Sequence, residues 1–353
     1  MRSLRWSGID HLMTLTDDVG VVQHAVLDVP NRSCGYCTDD VGRALIVACD
    51  AGAQPVAEAD AARLVSTYLA FLHDAQLPGG WFHGFMSYDR RWQDDRGTPD
   101  AVGRAIWGLG YAERHAPRTS WRAVASRLRR GSMPILPALR YLRSNAYAVL
   151  GLVHVAATRP DDEDAVRAAI DALAAPIAAA YDAHATPDWA WCEDVMTYDL
   201  GRLPEALLRA GQTLTDARYV EKGLRMLEFL AATTIERGVF APVGSAGWYP
   251  RGGTKARFAQ QPLEAAAMVD ASLAAYALTR DVRWRGAAEV AHAWYLGHNS
   301  LGVELARDGG CCDGLDAHGL NPNMGAESTI AYVMSTNALS SIAGLAPSLR
   351  LVR

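Results

Sequence analysis

Apolar residues along this chain recur at helical spacing, and the helical segments fall into two alternating classes. One class carries a charged stripe, over 3–15, 57–75, 119–139, 163–185, 216–234 and 282–298. The other is poor in charge after its first turn and rich in Ala, Gly and Leu, over 39–51, 100–114, 144–158, 200–211, 262–279 and 326–345. An amphipathic helix keeps one wet face, whereas a helix apolar all round is buried. Strict alternation of the two predicts an all-α chain, an (α/α)6 toroid in which an inner ring of helices sits inside an outer ring. Strand candidates are few, Gly20 to Val29 and Val239 to Pro242, and are expected to be short strands in loops. No linker or low-complexity stretch interrupts residues 1–353, which read as one domain.

The starts of the inner helices repeat weakly. Asp39-Asp40-Val41-Gly42-Arg43-Ala44 is echoed by Asp100-Ala101-Val102-Gly103-Arg104-Ala105, and more briefly by Asp199-Leu200-Gly201-Arg202. Connections from inner to outer helix are short. Those from outer to inner helix are long, over 16–38, 76–99, 186–198, 235–261 and 299–325. Long loops in a compact fold usually carry function. In a toroid they share one face, at the N-termini of the inner helices, which makes that face the expected site.

Those loops concentrate acids and aromatics. Half of the ten tryptophans lie there: Trp81, Trp92, Trp189, Trp191 and Trp248. Indole faces stack on the apolar face of a pyranose while neighbouring carboxylates bind its hydroxyls. Tryptophans that only pack the loops onto the barrel mouth are an equal reading for any one of them. Glycoside cleavage needs one carboxyl to protonate the leaving oxygen and another to attack carbon or activate water. The candidates able to reach the cleft are Asp40, Asp89, Glu193 and Glu264. Glu193, between tryptophans and a tyrosine, is the expected acid, its apolar surroundings raising its pKa. Asp40 or Asp89 is the expected base, and inversion predicts roughly 6.5–9.5 Å between the carboxyls. Expected substrate contacts are His24, Tyr36, Trp81, His83, Tyr88, Arg90, Trp191, Asp194, Tyr198, Trp248, Gln261 and Glu327.

Structural readings compete with these. Asp39, Asp100 and Asp199 are placed to cap inner helices, and Arg43, Arg104 and Arg202 to pair with loop acids. Cys34-Gly35-Tyr36-Cys37 with Cys311-Cys312 has zinc-like spacing, but its position in a loop and the adjacent second pair favour ordinary thiols. No metal and no cofactor are expected. Arg251, Lys255 and Arg257 form a cationic stretch that a phosphorylase would use for phosphate.

A net charge of −5 gives no basic footprint, which argues against nucleic acid as a partner. The N-terminal stretch lacks the apolar core of a signal peptide, no stretch reads as a membrane span, and six cysteines without an export signal suggest reduced thiols. A cytoplasmic protein with no membrane partner is the expectation.

The motif set Asp17-Asp18-x-Gly20 with Gln23-His24-Ala25, then Gly35 to Asp40, Phe85 to Trp92, Thr197 to Asp199 with Arg202 to Ala206, Gln260 to Ala265 and Gly325 to Thr329 covers nearly the whole chain. In that order it resembles a bacterial family of six-hairpin proteins found beside or fused to group-1 glycosyltransferases, within the six-hairpin glycosidase-like superfamily. The resemblance implies the toroid, a carbohydrate ligand leaning toward mannose-containing glycans, and association with a glycosyltransferase. It assigns no catalytic residue. The reading is a glycoside hydrolase acting on small oligosaccharides. Its rivals are a phosphorylase, an epimerase using His24 or His83, and a non-catalytic glycan-binding partner of a glycosyltransferase.

Overall fold

The computed structural model describes residues 8–51, 58–158 and 163–343. Twelve α-helices dominate these residues. The inner ring consists of α2 (Thr38–Ala51), α4 (Pro99–His115), α6 (Leu142–Ala156), α8 (Arg202–Leu214), α10 (Pro262–Thr279) and α12 (Ala326–Ala343). The outer ring consists of α1 (Gly8–Leu15), α3 (Glu58–Ala75), α5 (Thr119–Ser132), α7 (Glu163–His184), α9 (Ala217–Thr234) and α11 (Val282–Ala293). Each inner helix packs against the next, and α12 packs against α2, so the ring closes. Helices α3, α5, α7, α9 and α11 back the inner helices that precede them, while α1 backs α12. The first and last described helices therefore build the sixth hairpin together. This is an (α/α)6 toroid, as the alternation of helix classes predicts.

Burial follows that alternation. In α2 every residue but Asp39 and Asp50 is buried, whereas α9 buries only the stripe Tyr219, Gly223, Met226, Leu227, Leu230 and Thr234. Small residues let the inner helices meet backbone to backbone. A Cβ on Gly110 would lie 2.2 Å from the Gly151 carbonyl oxygen, and one on Gly108 would lie 2.1 Å from that of Gly42. At these contacts α2, α4 and α6 tolerate no side chain at all.

The short turns join helices with an economical code. Thr215 adopts a left-handed φ of 59° and ends α8, and the next residue, Asp216, caps α9 by accepting from the Arg218 N–H. Arg280 and Asp281 repeat the device between α10 and α11. Two expected helices end early. The stretch 119–139 breaks at Ser132, and Met133–Ala138 tightens into a 3-10 helix because Pro134 and Pro137 cannot supply N–H groups to an α-helix. The stretch 282–298 ends at Ala293, and Gly297 turns the chain with a φ of 95°. Residues 3–7, 57, 344 and 345 of the expected helices lie outside the described residues.

The strands are short antiparallel pairs in the loops. Ala25–Val26 pairs with Val29–Pro30, and Val239–Phe240 with Ile235–Glu236. The expected strand from Gly20 to Val29 is thus a tight hairpin, turned at Leu27 with a φ of 55°. Tyr36–Cys37 pairs with Phe85–Met86, and Val195–Met196 with Tyr249–Pro250. These pairs tie one long loop to another and fix the mouth of the toroid. No described helix is long and apolar enough to cross a membrane.

Candidate active site

The N-terminal ends of α2, α4 and α12 converge on a cavity of about 320 Å³. Helix α2 supplies Asp39, Asp40 and Arg43. The start of α4 supplies Thr98, Asp100 and Arg104, and α12 supplies Glu327. Gln23, His24, Cys37 and Phe85 enter from the loops. All four acids sit in first helical turns, where the helix dipole favours negative charge.

Arg43 organises one side. Its Nη2 donates to Asp40 Oδ1 at 2.7 Å and to Glu327 Oε2 at 2.9 Å. Because one nitrogen serves both, those two oxygens are separated by at most the sum of the two lengths, 5.6 Å. The two acids differ in setting. Asp40 is buried, and burial raises its pKa above the usual carboxylate range while Arg43 pulls it back. Glu327 keeps 39% of its side chain exposed. The Cys37 thiol donates to Asp40 Oδ2 at 3.2 Å, and burial holds that thiol well above its ordinary pKa. Cys37 is therefore a neutral neighbour of Asp40.

Arg104 organises the other side. Its Nη1 meets Asp39 Oδ1 at 3.1 Å, and its Nη2 meets Asp199 Oδ2 at 3.3 Å and the Tyr147 hydroxyl at 3.0 Å. Asp100 accepts from the Ser144 hydroxyl and, at 2.7 Å, from the Tyr198 hydroxyl. Capping follows a different pattern from the one expected. Thr98 caps α4, its Oγ1 accepting from the Ala101 N–H, and this leaves the Asp100 carboxylate for the cavity. Asp39 lies inside α2 and pairs across to α4. Asp199 has a left-handed φ of 50°, and its N–H donates to Glu264.

The expected site residues divide accordingly. His24, Asp40 and Glu327 line the cavity. Tyr198 reaches it through Asp100. Glu193, the expected acid, is one step further out. Arg143 stacks on Tyr198 at 4.5 Å and grips both Glu193 oxygens at 2.9 Å. Both of its oxygens are thus occupied by one guanidinium, and the Glu193 carboxyl does not line the cavity. Asp89 is exposed on a turn, bonded to the Ser87 hydroxyl and paired with Arg91. Glu264 is buried beneath the Asp199 and Leu200 N–H groups. Its burial, aided by the charge of Asp199, raises it to about 8, and it acts here as a brace for the start of α8.

The aromatic expectations are corrected by burial. Trp191 is fully buried and offers no face to a sugar. Tyr36 is buried under Tyr88, the rings 6.0 Å apart and nearly parallel, and its hydroxyl donates to Asp17 at 2.6 Å. Tyr88 is the exposed member of that stack, and Arg90 pairs with Asp18 at 2.6 Å. Arg96 covers Trp81 at 4.3 Å. His83 stacks on Trp92 at 4.7 Å and bonds Asp94 through Nδ1, so it serves its own loop. Trp248 is half-buried against the core, Gln261 precedes α10, and Asp194 meets His184 and Arg251. None of the described tryptophans lines the cavity; its one exposed aromatic wall is Phe85.

Two members of the cationic stretch are committed to structure, while Arg257 is exposed. Lys255 bonds the Thr233 and Ala241 carbonyls and Glu236, and Arg251 bonds the His184 carbonyl and the Thr186 hydroxyl. Among the described residues no cluster of His, Cys, Asp and Glu has the geometry of a metal site.

Sequence reasoning gave Asp39 and Asp100 to capping, and left Phe85 and Thr98 aside. The signal for the two acids was the repeated Asp-x-x-x-Arg spacing, which places an acid and an arginine at the same end of neighbouring inner helices.

No protein-family model matches the chain, and no curated protein does. Solved structures do. The cellobiose 2-epimerase from Bacillus thermoamylovorans superposes with a TM-score of 0.70 at 13% identity, over 95% of this chain and 96% of that one. A D-mannose isomerase gives 0.71 at 10% identity, over 95% and 96%. An α-1,6-mannanase of a Salegentibacter species gives 0.60 at 12% identity, over 96% and 99%. That mannanase was solved with α-1,6-mannotriose as an inactive variant lacking two consecutive aspartates. These likenesses show the (α/α)6 toroid fold.

Proposed function

We infer that this chain is a carbohydrate-active enzyme that cleaves a glycosidic bond in small, mannose-containing oligosaccharides. One observation carries the reading: Arg43 holds a buried carboxyl and an exposed carboxylate side by side in a cavity. Paired acids in unequal settings are what acid and nucleophile roles require. Asp40, raised by burial, protonates the leaving oxygen. Glu327, exposed and oriented by Arg43, attacks the anomeric carbon to give a glycosyl ester, which water hydrolyses as Asp40 takes its proton. With the shared oxygens at most 5.6 Å apart, both carboxyls can reach one anomeric centre, and retention is the outcome this proposal commits to in place of the inversion expected from sequence. Asp39 and Asp100 accept sugar hydroxyls, and Phe85 offers a stacking face.

The test is incubation with mannose-, glucose-, galactose- and arabinose-based oligosaccharides, with and without phosphate, followed by chromatography and by NMR of the first anomer formed. Phosphate-independent release of sugar with retained configuration, lost in Asp40→Asn and Glu327→Gln, supports the reading. Inverted product would remove Glu327 as nucleophile.

A second reading, isomerisation at a sugar carbon, draws on the higher TM-scores of the epimerase and isomerase and on His24 in the cavity. Deuterium from solvent entering unbroken sugar, and lost in His24→Asn, would favour it.

A further inference from the structure

The two oxygens of Asp40 have unlike partners. Oδ1 accepts from the charged Arg43 at 2.7 Å, and Oδ2 accepts from the Cys37 thiol at 3.2 Å. Cys37 immediately precedes α2, and Asp40 is the third residue of that helix, so the two stand where the partners of a capping box stand. In that motif a serine or threonine oxygen accepts from the third N–H. Here sulfur does so, with the Asp40 nitrogen 3.4 Å from Sγ, and the Asp40 side chain returns to the thiol. The Cys37 backbone is fixed from outside the helix. It pairs with Phe85, and the next residue, Thr38, donates its N–H to the Gly84 carbonyl. The thiol is buried, and its residue lines the cavity beside the carboxyl it touches.

A hydrogen bond to a carboxylate favours the anion, and the more so the stronger the donor. A thiol is a weak donor and a weak acceptor. It gives to Oδ2 when Asp40 is ionised and receives from the carboxyl when Asp40 is protonated, so neither state is strongly preferred. Burial pushes Asp40 toward its neutral form, Arg43 opposes this, Glu327 and Asp39 add to it, and the thiol bond opposes it. Asp100 and Arg104 of α4 and His24 of the first long loop complete the charged and titratable groups around the cavity.

We propose that Cys37 is a positioning residue for Asp40: its thiol caps α2, fixes the carboxyl and, as a weak donor, leaves Oδ2 ready both to hold and to release a proton. A hydroxyl in its place would hold Asp40 as the anion, a poor state for an acid. Only the use of that proton on a leaving oxygen rests on the glycosidase reading.

Carboxyl-carbon NMR of aspartate-labelled protein tests this without substrate, the Asp40 signal being assigned by its loss in Asp40→Asn. Cys37→Ala is expected to strengthen proton binding at Asp40 about threefold or more, because the anion loses a donor. Cys37→Ser is expected to weaken it by about as much, because a hydroxyl donates more strongly. A residue that only capped the helix would change urea unfolding and leave both titrations where the wild type has them. The infrared S–H band needs no Cys37 variant to fold. In the wild type it is expected to change as Asp40 titrates, and in Asp40→Asn to stay still. The proposal is overturned if both variants titrate like the wild type, if both move in the same direction, or if no S–H band follows Asp40. If the titrations move as expected and no oligosaccharide is cleaved, the glycosidase reading fails and the role of Cys37 stands.

Discussion

The two mouths of the toroid are made from the same six helices and differ in how their charges are settled. At the N-terminal mouth the acids have close partners: Arg43 holds Asp40 and Glu327, Arg104 holds Asp39, and two hydroxyls hold Asp100. At the C-terminal mouth Asp50 has a tyrosine hydroxyl and no cation among the described residues. Between them runs a ladder of buried pairs, from Asp39 through Arg104, Asp199 and Arg202 to Glu205 and Asp270. Ion-paired acids hold a geometry in place, whereas a buried acid held by neutral donors takes up a proton more readily. Long loops cover the first mouth, and tight turns such as Thr215-Asp216 border the second.

The sharpest break is at the first mouth. Asp40→Asn should lower turnover by about 10²–10⁴-fold with folding intact, since it keeps the shape and removes the proton. Steady-state rates and circular dichroism measured together check this, and unchanged turnover would move the acid elsewhere. Next comes the ladder. Arg202→Met leaves Asp199, Glu205 and Asp270 short of a partner and should cost about 3–5 kcal/mol in urea unfolding. A loss under 1 kcal/mol would mean that water replaces the guanidinium. The ring contact should be weaker but clear. Gly110→Ala places a methyl against the Gly151 carbonyl and should cost about 1–3 kcal/mol, read as a lowered Tm.

The second mouth gives a smaller, pH-dependent effect. Burial raises Asp50 from 3.8 to about 6, so the folded state binds its proton more tightly than the unfolded state. Wild-type stability from this group therefore falls as pH rises from about 4 to about 6. Asp50→Asn should flatten that slope and gain roughly 2–3 kcal/mol above it. His154, depressed by burial, acts oppositely, losing stability as pH falls below its unfolded value, and cancels in the comparison of variant with wild type. Identical slopes in urea titrations across this range would contradict the assignment. The smallest effect is at Asp89, whose side chain is 63% exposed. Asp89→Ala should leave both turnover and stability within about twofold, as surface changes usually do.

The fold was legible because burial is written into composition. Inner helices such as α10 are almost free of charge, and α9 shows its wet face in Arg218, Glu221, Lys222 and Arg225. The end of α5 was legible too, in Pro134 and Pro137, which outweigh the apolar spacing that ran on past them. The site was only half legible. Loop aromatics beside acids look like a sugar cleft, yet Trp191 and Tyr36 are consumed in fastening the loops. Nothing local to Glu193 reveals Arg143, fifty positions earlier, and that partner decides what Glu193 does. Asp50 was hidden for the same reason: its charge matters through what the ring brings near it.

The closure of the ring has a consequence for how the molecule comes into being. Helix α12 must pack on both α1 and α2, its partners of greatest sequence separation. During synthesis α2 keeps an uncovered apolar flank until α12, the last described helix, has emerged. Loop-closure entropy rises only slowly with length, so the final step is delayed more by waiting than by cost. A nascent chain that pauses before α12 presents that flank to any other apolar surface, and the window of vulnerability to misassembly is set by translation time. The same contact that completes the toroid is thus the last safeguard against its aggregation.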